Sequence, residues 1–184
     1  AELERPREIP ADIIVGAMRR GVLDTNAAAR LATSHFQSTT NGDLKRALEF
    51  THDEYQDIDA HCKGKGIAWF ASPWDEESVD FLEQFRPPAY KVASASLTDD
   101  GLLRHIRAQG RPVILSTGMS IMEEIGHAVA VLGTERLILL HCTSTYPSAF
   151  DELNLSAIQT LRDRFDVPVG YSGHEKGVYP SVFA

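Results

Sequence analysis

The sequence predicts a parallel α/β fold assembled from repeated βα units, and two patterns carry that prediction. Five apolar runs of strand length, at 67–72, 89–94, 112–117, 136–142 and 167–172, alternate with stretches whose apolar residues recur three and four positions apart. The runs are apolar at successive rather than alternate residues, as in strands covered on both faces. Neither pattern separates a doubly wound sheet from a (β/α) barrel. The chain contains no G-x-G-x-x-G and no G-x-x-x-x-G-K-[ST], the phosphate fingerprints of many open sheets, and this favours the barrel.

Taken in order, residues 1–42 predict a helix from about Ile13 to Ala32 and then the polar loop "TSHFQSTTNGD". From about Asp43 the pattern becomes regular, with a helix through "EYQDIDAHCK" and then the first apolar run, "IAWFAS". "AYKVAS", "PVILST", "RLILLHC" and "VPVGYS" follow, each bounded by turn residues. Between them "DEESVDFLEQF", "TDDGLLRHIRAQG", "SIMEEIGHAVAVLG" and "ELNLSAIQTLRDRF" read as amphipathic helices with polar or acidic starts. Strands joined to helices by short links imply parallel pairing.

Composition removes several classes of function. A chain of 184 residues with 43% hydrophobic content can bury a core. Its net charge of −8 and scattered Lys and Arg argue against a nucleic-acid or anionic-membrane partner. No apolar run reaches the roughly 20 residues of a membrane span, and the N-terminus lacks the apolar core of a signal peptide. Cys62 and Cys142 make no disulfide framework or metal-ligand spacing, so a cytoplasmic location is expected. The opening "AELERPREIP" and the closing "GVYPSVFA", a helix's first turn, read as a piece cut from a longer protein.

Chemistry concentrates at the strand ends. Side chains alternate along a strand, pairing Phe70 with Ser72, Lys91 with Ala93, Ile114 with Ser116, Leu139 with His141 and Gly170 with Ser172. If those faces all point inward, the C-terminal strand ends bring hydroxyls, an ammonium and an imidazole to one rim, where barrels build active sites. Serine also ends strands because it suits turns. A lysine inside "AYKVAS" either enters a polar cavity or snorkels off a sheet edge; in a cavity it would bind phosphate or carboxylate, or form a Schiff base. His141 reads as a core histidine with its hydrogen bonds satisfied. His174, between Gly173 and Glu175 past a strand end, suits a metal ligand or an acid–base group. Gly118 in "STGMS" could present helix N-terminal amides to an anion, or form an ordinary turn capped by Ser120. Tyr146, in a loop before a proline, suits sugar stacking or packing on its own helix. His35, His52, His61, His105 and His127 read as surface residues.

The segments "GIAWFASPWDEESVDFLE", "PAYKVASASLTD", "PVILSTGMSIMEEI", "LLHCTSTYP" and "VPVGYSGHEKG" resemble, in order and spacing, the sialic acid synthase family, whose members make N-acetylneuraminate, legionaminate and related nonulosonic acids. The likeness runs from about residue 43 to the end, and as a set the motifs are highly specific. It implies a (β/α)8 TIM-barrel-type fold condensing phosphoenolpyruvate with an N-acylated hexosamine. In such enzymes a divalent metal, Mn2+ or Mg2+, polarises the open-chain aldehyde, C3 of phosphoenolpyruvate attacks it, water adds at C2 and phosphate leaves by C–O cleavage. The resemblance assigns Lys91, Ser94, Ser72 and Ser116 to phosphoenolpyruvate, with Lys91 and His174 as the catalytic pair. It assigns Met119, Ser144 and Tyr146 to the substrate pocket, Ser172 to the phosphate or sugar side, and His174 to the metal.

By the same pattern the runs are strands three to seven of the barrel, in a synthase domain of residues 43–184 preceded by a segment, 1–42, with no match. "SHFQST" is a faint echo of strand two, and strand eight, with a second metal histidine, would follow Ala184. The family's C-terminal antifreeze-like domain, which completes a neighbour's site in a homodimer, is not in this sequence. The chain alone is therefore expected to carry a half-site, without tight manganese binding or turnover. Two other classes fit the residues: another barrel enzyme using phosphoenolpyruvate or a Schiff-base lysine, and a non-catalytic barrel remnant serving as a binding module.

Overall fold

The computed structural model describes residues 49–184; the expected helix at 13–32, the "TSHFQSTTNGD" loop and His35 lie outside them. The chain divides into two compact units, residues 1–67 and residues 68–184. In the described part of the first, helix α1 (His52–Lys65) starts at a reciprocal capping box, in which the Thr51 hydroxyl accepts from Glu54 N–H and the Glu54 carboxylate accepts from Thr51 N–H at 2.8 Å. It stops at Gly66, whose φ of 66° is the left-handed conformation that glycine adopts without a Cβ penalty.

The second unit is a four-stranded parallel sheet with strands in sequential order: β1 (Tyr90–Val92), β2 (Val113–Ser116), β3 (Leu137–His141) and β4 (Val169–Tyr171). Helices α2 (Glu76–Glu83), α3 (Asp100–Ala108), α4 (Met122–Leu132) and α5 (Ser156–Arg164) alternate with them, and the short α6 (Tyr179–Phe183) follows β4. Sequential order without reversal gives every crossover the same hand and brings the helices to one face of the sheet. That is the arrangement of a (β/α) barrel; a doubly wound sheet reverses its order to cover both faces. The protein is a partial barrel of TIM type.

Register shows how the core forms. Tyr90 pairs with Val113 and Val113 with Leu137, while Val92, Leu115, Leu139 and Val169 form the next row. Paired residues of parallel strands share a face, so these rows make one continuous apolar layer. Tyr90, Val92, Val113, Leu115 and Leu139 are fully buried in it. Val79 and Leu82 of α2, Leu102, Leu103 and Ile106 of α3, Ile125 and Leu132 of α4, and Ile158 and Leu161 of α5 complete the core. The other face carries Lys91, Ile114, Ile138, Leu140 and Gly170, all half-buried. The expectation of strands covered on both faces thus fails on this side, because α2 to α5 pack on the other.

One expected strand is missing from the sheet. Residues 67–72 make a single ladder bond to β1, from Lys91 N–H to Ala71 C=O at 3.3 Å, and are not a strand. Trp69 instead packs on Phe85, with ring centroids 5.6 Å apart, and Phe70 is exposed.

Local signals in the sequence account for most helix ends. Asp75 and Asp99 cap α2 and α3 by accepting from Ser78 N–H at 2.7 Å and Leu102 N–H at 3.1 Å. Ser120 does not cap α4; its hydroxyl turns to Gly118 C=O, and Glu124 accepts from Ile121 N–H at 2.9 Å at that helix start. At the other end of α4, the Arg107 guanidinium donates to the carbonyls of Leu132, Gly133 and Glu135, a cation placed where the helix dipole is negative. No helix of the described residues is long and apolar enough to cross a membrane.

A polar clasp ties α2 to the start of the sheet. Arg111 grips Glu83 with two parallel bonds, Nε to Oε1 at 2.5 Å and a second guanidinium nitrogen to Oε2 at 2.7 Å, and the Tyr90 hydroxyl donates to Glu83 Oε1 at 2.7 Å. Arg111 holds the Glu83 carboxyl below the usual carboxylate range. Burial first, and the Glu83 carboxylate second, push the Tyr90 hydroxyl well above the usual tyrosine value. A carboxylate with a depressed folded pKa stabilises the fold above its ordinary pKa and ceases to do so as pH falls through the depressed value. Glu83→Gln is therefore expected to cost about 1–2 kcal/mol at neutral pH. Denaturant unfolding of both proteins across the acid range checks this, with the gap closing below the folded pKa of Glu83.

Candidate functional site

The sheet face opposite the helices holds a polar cluster at the C-terminal strand ends. Lys91 rises from the row it shares with Ile114 and Ile138, and Ser116 stands one row nearer the mouth, beside Leu140 and Gly170. The Lys91 ammonium donates to Val92 C=O at 3.0 Å and is paired with no carboxylate among the described residues. Burial holds its pKa below the ordinary lysine value, with the neighbouring Cys142 opposing the shift. A half-buried cation with spare N–H groups and no counter-ion is suited to an anion.

Ser94 and Gly118 complete this corner. Ser94 opens a 3-10 turn after β1, and its Oγ accepts from Gly118 N–H at 3.0 Å. Gly118 is buried, and a Cβ there would meet Cys142 Sγ at 2.9 Å and Ser94 Oγ at 3.0 Å, with Ser144 Oγ closer still. The glycine exists for close approach. Its amide does not face an open anion site, as the helix N-terminus reading expected; it is committed to Ser94.

His141 overturns the assumption that Leu139 and His141 face inward. It pairs with Tyr171 in the row after Leu139 and Val169, on the helix side of the sheet. Its Nε2 bonds to Leu153 C=O at 2.7 Å and its ring stacks on Tyr171, centroids 6.1 Å apart. It is the satisfied core histidine the residues suggested, and it does not reach the rim. The next residue does: Cys142, 5% exposed, lies with Sγ 3.2 Å from Ser94 Oγ. Sequence reasoning passed over Cys142 because "RLILLHC" is apolar on both faces and carries no alternation to fix its phase.

A second group forms where the loops after β3 and β4 meet. His174 Nδ1 bonds to Thr143 C=O at 2.6 Å. A carbonyl only accepts, so Nδ1 carries the proton and the lone pair is on Nε2. Tyr146 lies over the ring, with centroids 4.1 Å apart and its hydroxyl 3.1 Å from Nε2. Ser148 N–H donates to His174 C=O at 3.1 Å, and the Ser148 hydroxyl also bonds to the carbonyls of Thr143 and Thr145, knitting the two loops. Glu175 folds back over Gly173 to accept from the Tyr171 hydroxyl at 2.7 Å, and burial and this bond push that hydroxyl up to about 12. A Cβ on Gly173 would strike the Glu175 carboxylate and the Tyr171 ring.

The remaining expected residues distribute as follows. Ser144 reaches the Gly118 corner and links the two groups. Ser172 N–H continues the ladder to His141 C=O at 2.9 Å, and its parity with Gly170 places it on the inner face. Ser72 is half-buried and follows Ala71 beside β1. Met119 is 71% exposed, and its φ of 58° is a conformation uncommon outside glycine that gathers at functional turns. His174 meets one requirement of a metal ligand, an Nε2 lone pair with the other nitrogen held by a carbonyl, although the Tyr146 hydroxyl occupies that lone pair at 3.1 Å. Among the described residues no group of three or more His, Cys, Asp or Glu could hold a metal ion, so His174 would be one ligand of a set.

The NeuB family model matches residues 19–184. The chain belongs to the NeuB family. Relatives include the N,N'-diacetyllegionaminic acid synthase of Campylobacter jejuni, 36% identical over 165 residues, covering 85% of this chain and 49% of that protein. The N-acetylneuraminate-9-phosphate synthase of Homo sapiens is 35% identical over 155 residues, covering 83% and 43%. Among solved structures, the N-acetylneuraminic acid synthetase of Leptospira borgpetersenii, determined in complex with citrate, aligns at a TM-score of 0.74 with 32% identity, covering 82% of this chain and 54% of that one. The chain thus spans about half the length of the NeuB-family relatives it matches.

Gly118→Ala is expected to push Ser94, Cys142 and Ser144 apart and to destabilise the unit by about 1–3 kcal/mol, the usual cost of overpacking a filled site. Thermal unfolding beside the exposed-position control Gly64→Ala, where a Cβ meets nothing within 4 Å, measures it.

Proposed function

We propose that this chain carries part of the active site of a nonulosonic acid synthase, a cytoplasmic transferase that condenses phosphoenolpyruvate with an N-acylated hexosamine and releases phosphate. One observation carries the reading: a half-buried Lys91, paired with no carboxylate among the described residues, shares the inner sheet face with Ser116 and the Ser94–Gly118 corner at the C-terminal strand ends, in a family whose named members make such acids.

In this reading Lys91 supplies the fixed positive charge for the phosphate and carboxylate of phosphoenolpyruvate, and Ser94, Ser116 and Ser72 supply hydroxyl donors that orient it. The neighbouring loops receive the sugar, with Met119, Ser144 and Tyr146 against it and Ser172 between the two substrates. C3 of phosphoenolpyruvate bonds to the aldehyde carbon, water adds at C2, and phosphate departs with its bridging oxygen. His174 is a ligand for a divalent metal, Mn2+ or Mg2+, which when bound polarises the aldehyde oxygen. Its ring already holds the proton on Nδ1, so Nε2 becomes available once Tyr146 gives up its hydrogen bond. The names of the relatives differ in their sugar, and the N-acyl hexosamine is accordingly proposed only as a class. Further residues of the site, and a homodimer that shares it, belong to the full-length protein.

A second reading rests on Lys91 itself. A lysine held below its ordinary pKa by burial is also what a Schiff-base aldolase needs. Borohydride reduction in the presence of pyruvate is expected to leave Lys91 unmodified by mass spectrometry; a pyruvyl adduct there would replace the metal-assisted reading. For the main proposal, full-length protein is expected to release phosphate from phosphoenolpyruvate only when N-acetylmannosamine or a related sugar and a divalent metal are present. Lys91→Ala is expected to lower kcat/KM at least about 100-fold, the loss typical of an electrostatic anchor. Phosphate release that survives chelation, or an unimpaired Lys91→Ala, would sink the assignment; a folded wild type with no turnover under any condition would favour the non-catalytic module.

A further inference from the structure

Resting on the proposed reading of the Lys91 face as an anion site, the hydrogen-bond arithmetic at Ser94 gives Cys142 a role. A serine oxygen has one O–H to donate and two lone pairs to accept with. Gly118 N–H fills one lone pair at 3.0 Å. Cys142 Sγ is the next neighbour at 3.2 Å, and geometry alone lets either atom be the donor. The two directions have opposite consequences for a ligand. If Ser94 donates to sulfur, its hydroxyl hydrogen is spent and a bare lone pair faces the anion. If Cys142 donates to Ser94, both lone pairs are filled and the hydroxyl hydrogen is the one group left to meet a negative oxygen. Only the second direction suits the unpaired Lys91 ammonium on the same face.

We infer that Cys142 is a positioning residue: its S–H donates to Ser94 Oγ and thereby keeps the Ser94 hydroxyl pointed at the phosphoenolpyruvate anion. The thiol touches neither substrate; it acts through Ser94. Its burial at 5% exposure, against Gly118 and Ser94, keeps it in that geometry and out of bulk solvent. Gly118 and Cys142 thus act as one device, a backbone N–H and a thiol both feeding a single oxygen.

The test separates this claim from the functional reading. In the full-length protein, Cys142→Ala removes the donor and is expected to raise KM for phosphoenolpyruvate about tenfold with KM for the sugar unchanged. Cys142→Ser restores a donor and is expected to stay within about threefold of wild type. In a Ser94→Ala background, Cys142→Ala is expected to add nothing further. A packing role would instead make the serine variant as poor as the alanine one, and that result, or a Cys142→Ala indistinguishable from wild type, overturns the inference while leaving the synthase reading intact. A wild type that binds no phosphoenolpyruvate by calorimetry overturns both. The bond itself is read without any ligand: the S–H stretching band of Cys142, isolated as the Raman difference between wild type and Cys142→Ala, is expected at lower frequency than the same band in Ser94→Ala. An unshifted band shows that the thiol does not donate and ends the proposal.

Discussion

The parallel ladder from β1 to β4 is the constraint on which the site depends. Each paired row commits its side chains to one face, so Tyr90, Val113 and Leu137 form the core only because Lys91, Ile114 and Ile138 are sent the other way. The same alternation brings Ser116 and Cys142 to the Lys91 side and takes His141 to the helices. Core burial and site construction are therefore one choice of register: a slip of one residue in β1 or β2 would turn Lys91 or Ser116 toward the helices and its apolar neighbours away from them. The fully buried row from Val92 through Leu115 to Leu139 is what resists such a slip.

How far the sequence foretold this follows from where its signals were local. Four of the five strand-length runs are strands, and Asp75 and Asp99 cap the helices that follow them, because strand runs and caps are written within a few residues. The run at 67–72 looked like the others in hydrophobicity, yet a strand needs neighbours along its length, and among the described residues it makes one ladder bond to the sheet. Lys91 was legible because a lysine in an apolar run has few places to go. His174 was legible because glycine and a strand end surround it. Neither the phase of β3 nor the choice of Cys142 over His141 could be read, since a strand apolar on both faces has no alternation. The expectation that Gly118 presents helix N-terminal amides to an anion fails because its N–H goes to Ser94, and a glycine is required there by the three side chains crowding the space where a Cβ would be.

The two polar groups differ in how they are held. The Lys91 corner is fixed by strands and by a buried glycine, so its donors are positioned before any ligand arrives. The His174 group is held by loops knotted through Ser148 and Glu175, with an exposed Tyr146 lying on the imidazole. A strand-held cation corner beside a loop-built imidazole group is the division of labour that the proposed function draws on.

The inner face also has a vertical order. Toward the strand starts it carries Ile114 and Ile138 in the row they share with Lys91, and toward the strand ends it turns to hydroxyls and a thiol. Loops at the polar mouth can grow or shrink without disturbing the strand-held row beneath it. Diversification of such a scaffold would therefore be written in its rim loops, while the greasy lower storey stays nearly silent to selection for new substrates.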